Sequence, residues 1–110
     1  MEVIAVAKNI RISPRKLRLV ADTVRGKNAN DAMVALKFMT TPAAVEVSKT
    51  IKSAVANAEN NFEMTPADLK IIRIYAGQAR TMKRIRAQAR GRASRVLRRS
   101  SHLTVVVEEV

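Results

Sequence analysis

Apolar and polar positions change period several times along this chain, and each change marks an element. From Val3 to Ile12 they alternate loosely, Val3, Ala5 and Ala7 on one parity and Ile4 and Val6 on the other, followed by Lys8 and Arg11; a short strand is expected. Ser13-Pro14 then reads as a helix start, Ser as N-cap and Pro at the first helical position, where its missing N–H costs nothing. Leu17, Val20, Ala21 and Val24 recur at helical spacing, and Gly26 is a natural stop. The opposite face of this helix carries Arg15, Arg18 and Arg25 with Asp22, and Lys16 sits where a capping box would want Glu. Cations in a first turn oppose the helix dipole, so this turn suits either phosphate or plain solvent. Asn28 or Asn30 opens a second, short helix, with Ala32, Ala35, Leu36 and Met39 inward and Met33 and Phe38 at the border. Thr40-Thr41-Pro42 closes it and starts a third, the longest, running to about Asn60 with Ala44, Val47, Ser48, Ile51, Val55 and Ala58 in its apolar stripe. Phe62 to Asp68, with Pro66, reads as a loop.

Two runs rich in strand-forming residues follow, Leu69 to Tyr75 and His102 to Val107. Between them, Arg80 to Arg99 is ambiguous by pattern. At period two, cations fall on both faces, with Arg84 and Arg86 against Lys83, and then Arg90, Arg92 and Arg98 against Arg95 and Arg99. At helical spacing, Met82, Ile85, Ala89, Ala93, Val96 and Leu97 would line one side of a basic amphipathic helix. Gly91 weakens the helix and suits a turn, and the flanking strands favour a hairpin. The expected fold is therefore α+β: three helices packed on a small antiparallel sheet, with a long protruding basic β-hairpin. One domain spans 1–110, and 78–102 is an extended hairpin arm. Three helices cover only one face of such a sheet, which suits the mixed sides of both long strands. Roughly a dozen residues from Gln78 to the turn, at about 3.3 Å each, reach on the order of 40 Å, beyond a body whose radius of gyration should be roughly 13 Å. An isolated two-stranded ribbon is marginal in water, so the arm takes its order from a partner.

Charge says what that partner is. The chain has 21 Lys and Arg against nine Asp and Glu, a net charge of +12. Nine of those cations, Arg80, Lys83, Arg84, Arg86, Arg90, Arg92, Arg95, Arg98 and Arg99, lie in the arm, and no acidic residue occurs between Asp68 and Glu108. Cations so crowded repel one another and cannot be buried unpaired, so their stable surroundings are water or a polyanion. Eight of the nine are Arg, whose planar fork bonds phosphate bidentately and stacks on bases. Nucleic acid is the expected polyanion, ahead of an anionic membrane or an acidic protein.

Catalytic chemistry has little support. Cysteine is absent, which removes disulfides, thiolate metal sites and a cysteine nucleophile and fits the cytosol. The start, MEVIAVAKNIRISP, does not read as a signal peptide, and no apolar run approaches the roughly 20 residues that cross a bilayer. His102, the only histidine, reads as a structural residue or an RNA contact rather than a general base. Gly26, Gly77 and Gly91 are too far apart for a phosphate-cradling loop, and Glu108 and Glu109 would point to opposite faces of a strand. Tyr75 reads first as a packing residue of its strand and second as a base-stacking one. No enzyme activity, cofactor or metal is expected.

Four separated motifs add a resemblance. Ser13-Pro14-Arg15-Lys16-Leu17-Arg18-Leu19-Val20-Ala21 with Arg25-Gly26, the helix end from Ser53 to Asn61, Met82-Lys83-Arg84 with Ala89-Arg90-Gly91-Arg92-Ala93, and Ser101 to Val107 resemble the family of bacterial large ribosomal subunit protein twenty-two. The likeness runs the full chain. It departs at Ala87-Gln88, where relatives commonly carry Pro-Arg, so a cation near the turn is missing.

The resemblance implies a globular domain on the outer surface of the large subunit near the peptide exit. Its hairpin would run inward through 23S rRNA, and its tip would form part of the nascent-peptide tunnel wall. On this sequence, RNA contacts would come from Arg11, Arg15, Lys16, Arg18, Arg25, Lys27, the nine arm cations and His102. Met82, Lys83, Arg84, Gln88, Ala89, Arg90, Gly91 and Ala93 would lie at or near the tunnel face. The implied partners are 23S rRNA, neighbouring large-subunit proteins and the nascent polypeptide, in the cytoplasm, with neither membrane binding nor homo-oligomerisation. Two other readings compete. One is an architectural DNA-binding protein with a basic β-arm, although Gln88 to Arg92 offers no apolar wedge or Pro. The other is a membrane- or partner-binding amphipathic helix over Met82 to Leu97.

Overall fold

A computed structural model describes residues 2–79, 82–87 and 93–109 of the chain, 82–87 and 93–98 as backbone. The elements run β1 (Glu2–Ile10), α1 (Pro14–Val24), α2 (Ala29–Lys37), α3 (Pro42–Phe62), a 3-10 turn (Pro66–Asp68), β2 (Leu69–Gln78), β3 (Met82–Ala87), β4 (Ala93–Arg98) and β5 (Ser101–Glu109). The three helices and the antiparallel sheet are those expected from the sequence. Residues Met82–Ala87 and Ala93–Arg98 pair as antiparallel strands, which overturns the amphipathic-helix reading of this segment.

Local chemistry sets the helix ends. Pro14 opens α1, and Ser13 holds cap geometry at φ −64°, ψ 148°, but its side chain makes no capping bond. Past the other end, Gly26 takes φ +81°, a conformation an L side chain resists, and the chain turns there onto β2. Asn28 is the cap of α2, its side chain accepting from the Asn30 N–H at 2.9 Å. Thr41 caps α3 by accepting from the Ala44 N–H at 3.4 Å, with Pro42 at the first position. This helix runs to Phe62, past the expected Asn60, and ends at left-handed Glu63 (φ 54°).

Strand order in the main sheet is β1-β5-β2, both pairings antiparallel, so the C-terminal strand is central. One face carries the helices. Its core joins Leu17, Val20, Ala21 and Val24 of α1 to Leu36 of α2, Val47 and Ile51 of α3, and Val3, Leu69, Ile71, Ile74, Leu103, Val105 and Val107 of the strands. Ala43, Ala44, Ala54 and Ala58 bring α3 in at short range; the buried stripe of this helix includes Thr50 and Ala54, while Ser48 and Val55 are only half-buried. Two irregularities shift the pairing, between Ala7 and Ile10 on β1 and between Ile71 and Arg73 on β2. Each adds one residue and exchanges the faces beyond it, so core positions on β2 are 69 and 71 before the shift and 74 and 76 after it.

The other face has no helix layer. Ile4 (53% exposed), Val6 and Tyr75 (54%) lie on it, so Tyr75 is not the packing residue its strand position suggested. Arg73 pairs with Glu2 across the intervening β5, and Val106, opposite both Ile4 and Arg73, is buried there.

Beyond this sheet, β3 and β4 form a two-stranded ribbon of their own, from Met82 opposite Arg98 to Ala87 opposite Ala93. The Ala79 N–H donates to the Ser100 carbonyl at 2.9 Å and carries the pairing from sheet to ribbon. Gln78 is the last residue of β2 to face β5, opposite Ser101, and Met82 opens the ribbon opposite Arg98. The molecule measures 62 × 27 × 17 Å with a radius of gyration of 17.0 Å, well above the roughly 13 Å of a compact domain this long.

Candidate nucleic-acid interface

The first turn of α1 meets the base of the arm. Ser13, Pro14, Arg15, Lys16, Leu19, Gln78 and Arg99 line an open cleft of about 680 Å³. The first turn of α1 holds no acidic residue, and no side chain caps it. Its leading N–H groups therefore add their partial positive charge to the cations of Arg15, Lys16 and Arg99. A concave surface of that kind suits a phosphate group, which accepts from N–H groups and cations together. Arg15, Lys16 and Arg99 are exposed and pair with none of the described acidic residues, as are Arg11 and Lys27 elsewhere on the surface.

Arg18 and Arg25 are placed differently. β2 is an edge strand, and an unpaired edge invites association with another chain. Arg18 Nε donates to the Ala76 carbonyl at 3.1 Å, and Arg25 Nη2 to the Ile74 carbonyl at 2.7 Å. Arg25 Nη1 also holds Asp22 at 2.5 Å. Farther along, the Gly26 N–H donates to the Ile71 carbonyl and the Ile71 N–H to the Lys27 carbonyl, both at 2.9 Å. This stretch of the edge is thus closed by α1 and its following turn. Both arginines keep exposed surface, but part of their donor capacity serves the fold.

His102 is likewise engaged, its Nδ1 accepting from the Asn9 N–H at 3.2 Å. Along the arm, the observed register puts Arg84, Arg86 and Arg98 at positions of one face and Lys83 and Arg95 at positions of the other, with Met82 beside the first group and Ala93 beside the second. Arg80, Gln88, Ala89, Arg90, Gly91 and Arg92 lie outside the described residues. Leu19 and Gln78 are cleft residues that sequence reasoning missed. A signal for Leu19 was present, since it sits one helical turn beyond Arg15 and off the apolar stripe. Among the described residues, no cluster of His, Asp or Glu could hold a metal ion, and no helix is long and apolar enough to cross a membrane.

Comparison with known proteins meets this geometry at the level of family. Residues 5–108 match the family model described as ribosomal protein L22p/L17e. The chain is 60% identical over 109 residues to the large ribosomal subunit protein uL22 of Dehalococcoides mccartyi, covering 99% of this chain and all of the relative. It is 49% identical to the protein of the same name from Clostridium acetobutylicum and 50% identical to that of Clostridium novyi, covering 99% of this chain and 98% of each relative.

Proposed function

The chain belongs to the ribosomal protein L22p/L17e family, and from that premise we propose that it binds 23S rRNA as a structural part of the large ribosomal subunit. In this reading it has no turnover. The body, with its cleft at the start of α1, sits on the subunit surface, while the arm threads between RNA segments and holds them together during assembly. The arm's far end then contributes to the wall of the nascent-peptide tunnel.

The observation that carries the reading is the arm's register, which gives cationic positions to both faces of the ribbon, three on one and two on the other. A ribbon of that kind gains most where phosphates surround it. Recognition would rest on shape and phosphate position, because the deep groove of A-form RNA is too narrow for side chains to read. Co-sedimentation with the large subunit through a salt series tests the proposal. Retention at low salt and release at high salt are expected, with log K falling by roughly 0.7 to 0.9 per neutralised phosphate for each decade of salt. Affinity for the large-subunit RNA that stayed level across the series would refute it.

A further inference from the structure

We propose that the outward stripe of α2, Asp31, Val34 and Phe38, docks a neighbouring protein through a segment that is apolar at its centre and basic at its flank. The inference rests on the chain's place in the large subunit and adds a second face to it, one that RNA does not use.

Charge divides the chain in two. Residues 28–69 hold three Lys and Arg against five Asp and Glu, a net of −2, whereas the remainder holds 18 against four, a net of +14. RNA that is drawn to the second part is not drawn to the first. The helical end nevertheless carries exposed apolar surface. Phe38 is 83% exposed, the highest value among the exposed large hydrophobic residues that the structure describes, and Val34 is 53% exposed. Spacing of three and then four residues sets Asp31 and Val34 of α2, and Phe38 at its C-cap in helical conformation, on one side, opposite Ala29, Ala32 and Leu36, which are buried. Val45, in the first turns of α3 beyond the same corner, is also 53% exposed.

An aromatic anchor next to an aliphatic residue is the composition of an interface centre, and the exposed carboxylate of Asp31 at one end of the stripe favours a cation in the partner. A chain with only two Phe and one Tyr has placed one of these rings almost wholly in solvent. Its exposure is explained when a second protein covers it.

A photo-crosslinking phenylalanine analogue at position 38, in full-length protein assembled into large subunits, tests this. An adduct with another subunit protein, through a peptide containing Lys or Arg beside apolar residues, is expected. An adduct with RNA, an adduct with a second copy of this chain, or no adduct overturns the inference. Asp31→Lys in the same protein should lower the adduct yield several-fold; an unchanged yield overturns the basic character of the partner. Phe38→Asp should leave the thermal midpoint of the isolated protein unaltered, because the ring touches little of its own fold, and should weaken the partner's retention on the subunit by roughly tenfold or more. Failure of the unsubstituted protein to enter subunits would instead tell against the ribosomal reading itself, so the two failures are distinguishable.

Discussion

Asn9 donates its backbone N–H to Nδ1 of His102 at 3.2 Å, and the two residues sit where β1 departs from regular pairing with β5. Asn9 stands at φ 57°, the left-handed region, in the stretch between Ala7 and Ile10 where the register shifts. Asn tolerates that conformation better than most residues, and Nδ1 takes up the N–H that the interrupted ladder releases. Asn9→Gly should therefore be close to neutral, while Asn9→Val should cost about 1–2 kcal/mol for forcing a branched side chain into the same conformation. His102→Ala should cost about 0.5–1.5 kcal/mol by loss of the acceptor. Urea unfolding of the isolated protein reads all three, and equal stability of the Gly and Val variants would remove the backbone argument.

Arg18 and Arg25 should separate from Arg15 and Lys16 in a similar measurement. The first pair bonds carbonyls of the β2 edge; the second lines the cleft and holds nothing in the fold. Arg18→Ala and Arg25→Ala should each destabilise by about 1 kcal/mol, since water can replace part of what the guanidinium supplied. Arg15→Ala and Lys16→Ala should leave stability within about 0.5 kcal/mol. On RNA the order reverses, Arg15→Ala and Lys16→Ala each lowering the salt slope by about 1. Matched losses of stability across all four variants would show that the two pairs do not differ.

That division was not legible in the sequence. Arg15, Arg18 and Arg25 share the polar side of one amphipathic helix, and periodicity cannot tell a solvated arginine from one lying over a row of carbonyls. The difference arises only when β2 is placed at the sheet edge beneath α1, a consequence of the order β1-β5-β2. Helix starts, by contrast, were readable at Pro14 and Pro42, because a proline in a first turn preceded by Ser or Thr acts within a few residues. The irregularities at Asn9 and Ile72 escaped reading because an inserted residue shows itself only against a partner strand. Phe38 escaped as well: it looked like a border residue of α2, yet as the C-cap beyond Lys37, still in helical conformation, it continues the outward side and is 83% exposed.

Gly26 isolates backbone conformation from packing. Its φ is +81°, and a Cβ built on it would meet nothing within 4 Å. Gly26→Ala should therefore cost about 1–2 kcal/mol through strain alone. Ile51→Ala, at a fully buried position, should cost roughly 2–5 kcal/mol through lost burial and the cavity left behind. Thermal melts should rank the two in that order. A neutral Gly26→Ala variant would mean that the turn onto Ile71 relaxes at no cost.

The arm's two faces give the sharpest test of how it meets RNA. A ribbon lying on an RNA surface would use one face, whereas a ribbon threaded between RNA segments would use both. The register sets Arg84, Arg86 and Arg98 on one face and Lys83 and Arg95 on the other. Changing the first group to Gln should lower the salt slope by about 2 to 3, and changing the second by about 1.5 to 2, at roughly 0.7 to 0.9 per phosphate lost. Both sets should slow formation of complete subunits, seen as a lighter particle in sucrose gradients. The fold should tolerate either set, because the main sheet is built from β1, β5 and β2 without these strands. If one set were silent in both salt slope and assembly, the arm would be lying against RNA rather than passing through it.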